Sequence, residues 1–176
     1  GNINIPFRFG VVQMDDGDYV TMDNFGFEKN EDFIRGIIAS SAMPVIAKPV
    51  YDVKYKGDKF DNIADGGVVN ISPLIDAVGY ARNLWPKSDK QFIVISCQSE
   101  NEVTGRVSGI WPTINRTFNI MKREILRNDT NIEPLPNEEF MYISPVERLP
   151  NPLDFSSESI EAMRESGYRS FMRILA

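Results

Sequence analysis

The sequence predicts an α/β sandwich. Two observations carry this expectation. The run Phe92-Ile93-Val94-Ile95, inside a strand-like segment from Gln91 to Cys97, is continuously apolar, as in a strand covered on both faces. Strand-like segments also alternate with segments whose apolar residues recur at helical spacing. With 176 residues, 42% hydrophobic and 25% charged, the chain is able to bury a sizeable core. Residues 1–176 are expected to form a single domain, because no repeat, low-complexity tract or long linker divides them.

Taken in order, Phe7 to Met14 and Tyr19 to Met22 flank Asp15-Asp16-Gly17-Asp18 and read as a hairpin. Asn30 is a candidate helix cap, with Glu31 and Asp32 in the first turn and Phe33, Ile34, Ile37 and Ile38 along one side. Pro44 sets the limit of that helix. Tyr51 to Tyr55 and Lys59 to Ile63, around Lys56-Gly57-Asp58, read as a second hairpin. Ser72-Pro73 opens a helix through Ile75, Val78 and Gly79.

Further on, Trp111, Ile114, Phe118, Met121 and Ile125 share one face of a helix from Pro112 to about Arg127. Arg116, Arg123 and Arg127 fall roughly opposite and read as a solvated face, with anionic lipid as the alternative. A short strand, Phe140 to Ile143, lies between the Pro- and Asn-rich loops Asn131 to Asn137 and Leu149 to Pro152. The last helix opens at Ser156 or Ser157, with Ile160, Met163, Phe171 and Ile174 as its apolar face.

Composition removes several classes of function. The chain has no histidine, so it cannot supply the usual base of a Ser-His-Asp or Cys-His site, nor a His-ligated zinc. Its one cysteine, Cys97, forms no internal disulfide and reads as a small core residue. A net charge of −6 argues against nucleic acid as a partner, since phosphate binding depends on a basic surface. Apolar runs fall far short of the ~20 residues of a spanning helix. A soluble protein is expected on that ground, cytoplasmic location being favoured; the segment Gly1 to Ile5 lacks both an initiating Met and the charged-then-apolar profile of a secretory signal, and targeting is not read from it.

Asp65-Gly66-Gly67 alone is usually only a turn. Its surroundings are more specific. Ala39-Ser40-Ser41-Ala42-Met43-Pro44 ends a helix, a hairpin follows, and then come Asp65-Gly66-Gly67-Val68, Asn70, Pro73-Leu74 and a new helix. This ordered set, residues 39 to 79, resembles the patatin-like phospholipase family. The hairpin near Phe7 to Met22 and the stretch Leu153 to Glu161 are similar to that family more weakly.

The resemblance implies a three-layer α/β sandwich with a mainly parallel sheet, incomplete here because its upstream strands are missing. It implies hydrolysis of lipid acyl esters by a Ser-Asp dyad, with Asp65 as general base and Gly66, Gly67 and Asn70 as the supporting loop. No cofactor is expected, and residue type and spacing imply no metal, since the acidic pairs Asp15-Asp16 and Glu138-Glu139 fall in expected turns or strand starts and read as solvated charge. A carboxylate can serve directly as base if held near the hydroxyl, and small neighbours permit that approach. The implied partners are a lipid or acyl-ester substrate, a peripheral membrane contact, and a second copy through an exposed sheet edge.

The family's Gly-x-Ser-x-Gly elbow and Gly-rich oxyanion segment have no match between Gly1 and Ala39. Gly105-Arg106-Val107-Ser108-Gly109 places its serine at the wrong offset for an elbow, and Ser40 and Ser41 read as packing and capping residues. The chain is therefore expected to be inactive alone, as the downstream part of a longer hydrolase. The alternative is a scaffold or interaction module in which Asp65 only caps its loop. A nucleotide-binding domain is weaker, for no Gly-rich phosphate loop follows a strand.

Overall fold

The computed structural model describes residues 5–44, 46–96, 108–145, 149 and 154–175. Cys97, Gly105 to Val107 and the end of the loop from Leu149 to Pro152 lie outside them. The chain groups into two compact units: Gly1–Asp76 with Phe118–Asn131, and Ala77–Thr117 with Ile132–Ala176.

In the first unit the opening hairpin forms as the Asp-Gly step predicts. Strand β1 (Arg8–Gln13) pairs antiparallel with β2 (Tyr19–Asp23), with Val11 opposite Val20. Gly17 takes a φ of 83° in the turn, and Asp16 clamps it by accepting from Asp18 N at 2.9 Å and Gln13 Nε2 at 3.0 Å. Helix α1 (Asn30–Ser40) has Lys29 at its cap position with no side-chain bond, so Asn30 is the first helical residue rather than the cap.

The phase of α1 also differs from the apolar pattern. Phe33 and Ile37 pack on the core, but Ile34 and Ile38 are more than half exposed, and Asp32, Gly36 and Ala39 are buried. The helix turns its smaller side to the sheet because a Cβ on Gly36 would meet the Phe9 ring at 3.0 Å and the Phe27 ring at 3.1 Å. Asp32 tolerates burial by accepting from the Lys54 backbone N–H at 3.3 Å.

Strands β3 (Val53–Tyr55) and β4 (Asp58–Phe60) close on Lys56 and Gly57, whose φ values of 51° and 87° suit a two-residue hairpin turn. Asp58 thus belongs to the strand, opposite Tyr55, and not to the turn. Strand β5 (Ile63–Asp65) adds to β1 antiparallel, giving the order β2-β1-β5. The core beneath is Phe9, Val11, Met22, Ala39, Val53, Tyr55 and Ile63. Each large apolar side chain buried there contributes roughly 1.5–3 kcal/mol. Phe27 links the hairpins, 6.1 Å from the Phe9 ring and 4.9 Å from Tyr55.

Two helices contribute residues to both units. Helix α2 (Leu74–Leu84) follows Pro73 as expected, and α3 (Ile110–Asp129) covers the predicted span with two more residues at each end. On α3, Ile125 is partly buried and Met121 is 53% exposed, so Met121 does not hold the buried face its spacing suggested. The side chains of Trp111, Ile114 and Phe118 lie outside the description. Arg123 and Arg127 are exposed.

In the second unit β6 (Lys90–Ile95) runs parallel to β7 (Glu138–Ile143), and Phe92 stacks on Phe140 with ring centres 4.8 Å apart. Among the described residues this is the parallel pair, and the pairings in the first unit are antiparallel. Helices and open sheets together give a broadly α/β chain. Strand β6 is not buried on both faces: Lys90, Phe92 and Val94 are partly covered, while Ile93 and Ile95 are exposed. Helix α4 (Ser157–Leu175) packs on β7.

Helix α4 begins as predicted, with Ser156 Oγ accepting from Ser159 N at 3.3 Å. Its buried side, however, is Ser159, Ser166 and Ser170, with Met163 and Ile174 beside them, whereas Ile160 and Phe171 face outward. Small hydroxyl residues can sit there because their polar atoms find local partners. Ser159 donates to Asp154 Oδ2 at 2.6 Å, and Ser170 donates to the Ser166 carbonyl at 2.9 Å.

Candidate functional site

Asp65 closes β5 and caps the 3-10 turn Gly66–Val68 that follows. Its Oδ1 accepts from Gly67 N at 2.8 Å, and its own N–H donates to the Ala42 carbonyl at 3.1 Å. That second bond joins the two halves of the sequence signature, the Ala39–Ala42 helix end and the Asp65 loop. The carboxyl group is partly buried, and Oδ2 accepts no hydrogen bond among the described residues. Such a group is fixed through one oxygen and carries no hydrogen bond at the other among the described residues. It can take a proton from a hydroxyl brought to Oδ2.

The two glycines serve different ends, and neither has a positive φ. Gly66 is buried against β1: a Cβ there would lie 2.6 Å from the Gly10 carbonyl carbon and 2.8 Å from its oxygen. A Cβ on Gly67 would meet only the Asp65 carboxylate, at 3.1 Å. Gly66 therefore sets how closely the loop approaches the sheet, and Gly67 supplies the N–H that orients the aspartate.

Asn70 is placed by its backbone, its N–H donating to the Gly66 carbonyl at 2.9 Å. Its amide lies between two carboxylates. In one orientation Nδ2 reaches Asp76 Oδ2 at 3.5 Å, and in the reversed one it donates to Asp129 Oδ2 at 3.1 Å and to the Ser72 carbonyl at 3.0 Å. Asp129 Oδ2 also accepts from the N–H groups of Ile71, at 2.9 Å, and Ser72, at 3.2 Å. Asn70 thus fastens the exit of the loop and does not bond to Asp65.

Two contributors were not singled out from the sequence: Gly10 and Tyr19. The Tyr19 ring covers both Gly10 and Gly66. Its hydroxyl is buried without a well-formed hydrogen bond among the described residues, while Thr21 Oγ1 donates to Asp76 Oδ2 at 3.1 Å. Burial pushes the phenol above its ordinary value, the Thr21 hydroxyl opposes that rise, and the Asp76 and Asp129 carboxylates add to it. Gly10 stands opposite Thr21, with Tyr19 on the diagonal opposite Val12; a glycine in one strand diagonal to an aromatic in the next is the one signal that could have marked this contact in advance.

Ser41 donates to the Ile37 carbonyl at 3.1 Å, which makes it a helix-end residue as expected. Ser108 is exposed just ahead of α3, and Gly109 beside it has a φ of 99°. Among the described residues no group of three or more His, Cys, Asp and Glu could hold a metal ion, and no helix is long and apolar enough to cross a membrane. No protein-family model matches the chain, and no curated protein matches it.

Proposed function

We propose that this chain is the downstream part of a patatin-like serine lipid acyl hydrolase, with Asp65 as the general base of a Ser-Asp dyad. The observation that carries the reading is the Asp65 carboxylate, oriented through Oδ1 by Gly67 N–H while Oδ2 accepts no hydrogen bond among the described residues. The bond from Asp65 N to the Ala42 carbonyl supports it, because it brings together the two sequence stretches on which the resemblance rests.

In this account Asp65 Oδ2 takes the proton of a serine hydroxyl supplied by the upstream part of the parent. The serine oxygen adds to the ester carbonyl, and collapse of that adduct expels the alcohol, which takes the proton back from Asp65. Water then cleaves the acyl-serine with Asp65 again as base, releasing the fatty acid. No metal or cofactor enters. Without the attacking hydroxyl and its oxyanion donors the chain by itself has no turnover.

The complete fold is then a three-layer sandwich with a mainly parallel sheet. Among the described residues β6 pairs with β7 alone, and its other side is where further strands of the parent would add. In their absence the same edge could accept a second copy. Substrate would be a lipid or other acyl ester, met at a peripheral membrane contact, with no role for nucleic acid.

A second reading rests on the same hydrogen bond: Asp65 caps its own turn in a scaffold or interaction module and takes no proton. Treating the full-length protein with a fluorophosphonate and weighing it separates the two. A mass increase of one phosphonyl group, lost on mutation of the upstream serine, supports the hydrolase. A folded but unmodified protein supports the scaffold.

A further inference from the structure

Asp129 stands where a helix disfavours a carboxylate. It is the last residue of α3, beside the carbonyl end of a 20-residue helix whose partial negative charge repels an anion. Donors from a distant part of the chain offset that repulsion. Asp129 Oδ2 accepts from the backbone N–H of Ile71 at 2.9 Å and from that of Ser72 at 3.2 Å. The Asn70 amide supplies a third donor. The orientation that sets its Nδ2 3.1 Å from Asp129 Oδ2 and 3.0 Å from the Ser72 carbonyl is favoured over the one that leaves it 3.5 Å from Asp76 Oδ2. Asp76 takes the Thr21 hydroxyl instead, at 3.1 Å. One carboxylate oxygen thus gathers charge-assisted bonds from three consecutive residues, which makes it a strong anchor.

We propose that Asp129 is a positioning residue for Asp65: from the end of α3 it ties down the exit of the Asp65-Gly66-Gly67 turn, and so holds the carboxylate at the angle that proton transfer needs. The proposal rests on the reading of Asp65 as a general base. The connection runs through bonds already described. Asn70, gripped by Asp129, donates its N–H to the Gly66 carbonyl at 2.9 Å, and Val69 donates to the same oxygen at 3.0 Å. These bonds close the turn whose Gly67 N–H orients Asp65 Oδ1 at 2.8 Å. The entry of the turn is held separately, by Asp65 N–H on the Ala42 carbonyl. All of these residues belong to the first compact unit.

Asp129 touches no reacting atom, and its loss should loosen the turn without unfolding the chain. Asn70, Ile71 and Ser72 are only partly buried, so water can take over the abandoned N–H groups. What water does not supply is a fixed direction. A misplacement of about 1 Å at a reacting group is enough to slow a reaction severely.

The test has two arms, both on the full-length protein carrying Asp129→Ala or Asp129→Asn. In amide hydrogen exchange followed by NMR, alanine speeds exchange of the Gly67 and Asn70 N–H groups about tenfold and leaves the β1–β2 hairpin unchanged. In ester hydrolysis alanine lowers kcat about tenfold and changes KM by less than about twofold, because the base is displaced and substrate binding is not. Asparagine keeps an oxygen for the Ile71 and Ser72 N–H groups and loses about threefold in each arm. Asn128→Ala, at the exposed neighbouring position, changes neither. Wild-type exchange at Gly67 in a folded Asp129→Ala protein overturns the proposal. So does a wild-type kcat with a lowered melting temperature in a protein that Asp65→Asn inactivates, since Asp129 would then be a structural residue only. If alanine loses the fold, wild-type values for asparagine in both arms overturn it instead. Failure of the dyad reading is a separate result: hydrolysis at the wild-type rate by Asp65→Asn sinks that reading, and the exchange arm still decides whether Asp129 holds the turn.

Discussion

Gly66 and Gly10 touch backbone to backbone, so closely that a methyl group on Gly66 would sit 2.6 Å from the Gly10 carbonyl carbon. This contact, covered by the Tyr19 ring, fixes the height of the Asp65 loop above β1. The glycine is required by space and not by an unusual φ.

Gly66→Ala is therefore expected to destabilise the chain by about 3 kcal/mol or more, because neither backbone can yield easily. Gly67→Ala meets only a side-chain oxygen at 3.1 Å and should cost about 1 kcal/mol or less. Urea denaturation of the two variants gives the comparison, and equal losses would remove the packing argument.

Asp65→Ala removes the cap on the turn and should cost about 1 kcal/mol, a typical value for a lost side-chain cap. Asp65→Asn keeps an oxygen for the Gly67 N–H and should cost less. Thermal unfolding of both reports the difference, and a loss of several kcal/mol for either would mean that Asp65 is mainly a structural residue.

Arg82 and Glu138 fasten the end of α2 to the start of β7 through two bonds, Nε to Oε1 at 2.8 Å and Nη2 to Oε2 at 2.7 Å. The Arg82 guanidinium and the Leu135 N–H hold Glu138 down from 4.5 to about 2. A carboxylate depressed in the folded state contributes stability that is fully present above its unfolded value and is lost as pH falls through the folded one. Wild-type stability should thus drop between about pH 4.5 and pH 2 with a component that Glu138→Gln lacks. Chemical denaturation across that range checks it, and parallel curves for the two proteins would contradict it.

Asp23 joins the end of β2 to the β3–β4 hairpin. Burial alone would raise its carboxyl, but the Tyr55 hydroxyl, Lys56 and the Phe25 N–H hold it below its ordinary value. Tyr55 donates to Asp23 Oδ2 at 2.9 Å. Tyr55→Phe should cost about 1 kcal/mol, with the ring packing retained. An unchanged midpoint in urea would show that Lys56 alone satisfies the carboxylate.

Much of the fold was legible. The β1–β2 hairpin and the α2 start followed from Asp-Gly and Ser-Pro signals, whose conformational preferences are local and need no tertiary help. Where the reading failed, packing outweighed pattern. Ile34 and Ile38 lost the inner face of α1 because Gly36 lets the helix approach Phe9 and Phe27 more closely. The serines of α4 took the inner face, Ser159 and Ser170 each finding a hydrogen-bond partner nearby. Continuous apolar character in β6 suggested cover on both sides, but exposure depends on neighbours that a sequence run does not specify. The Asp65 loop could be placed from its motif, whereas the contact of Gly66 with Gly10 joins residues far apart in the chain and left no periodic trace.

The most direct measurement of the central claim is ester hydrolysis by the full-length parent carrying Asp65→Asn. The account predicts a fall in kcat of about 10²-fold or more with the melting temperature nearly unchanged, since the substitution removes the base and leaves the turn capped. Hydrolysis at the wild-type rate in a folded Asp65→Asn protein would contradict it.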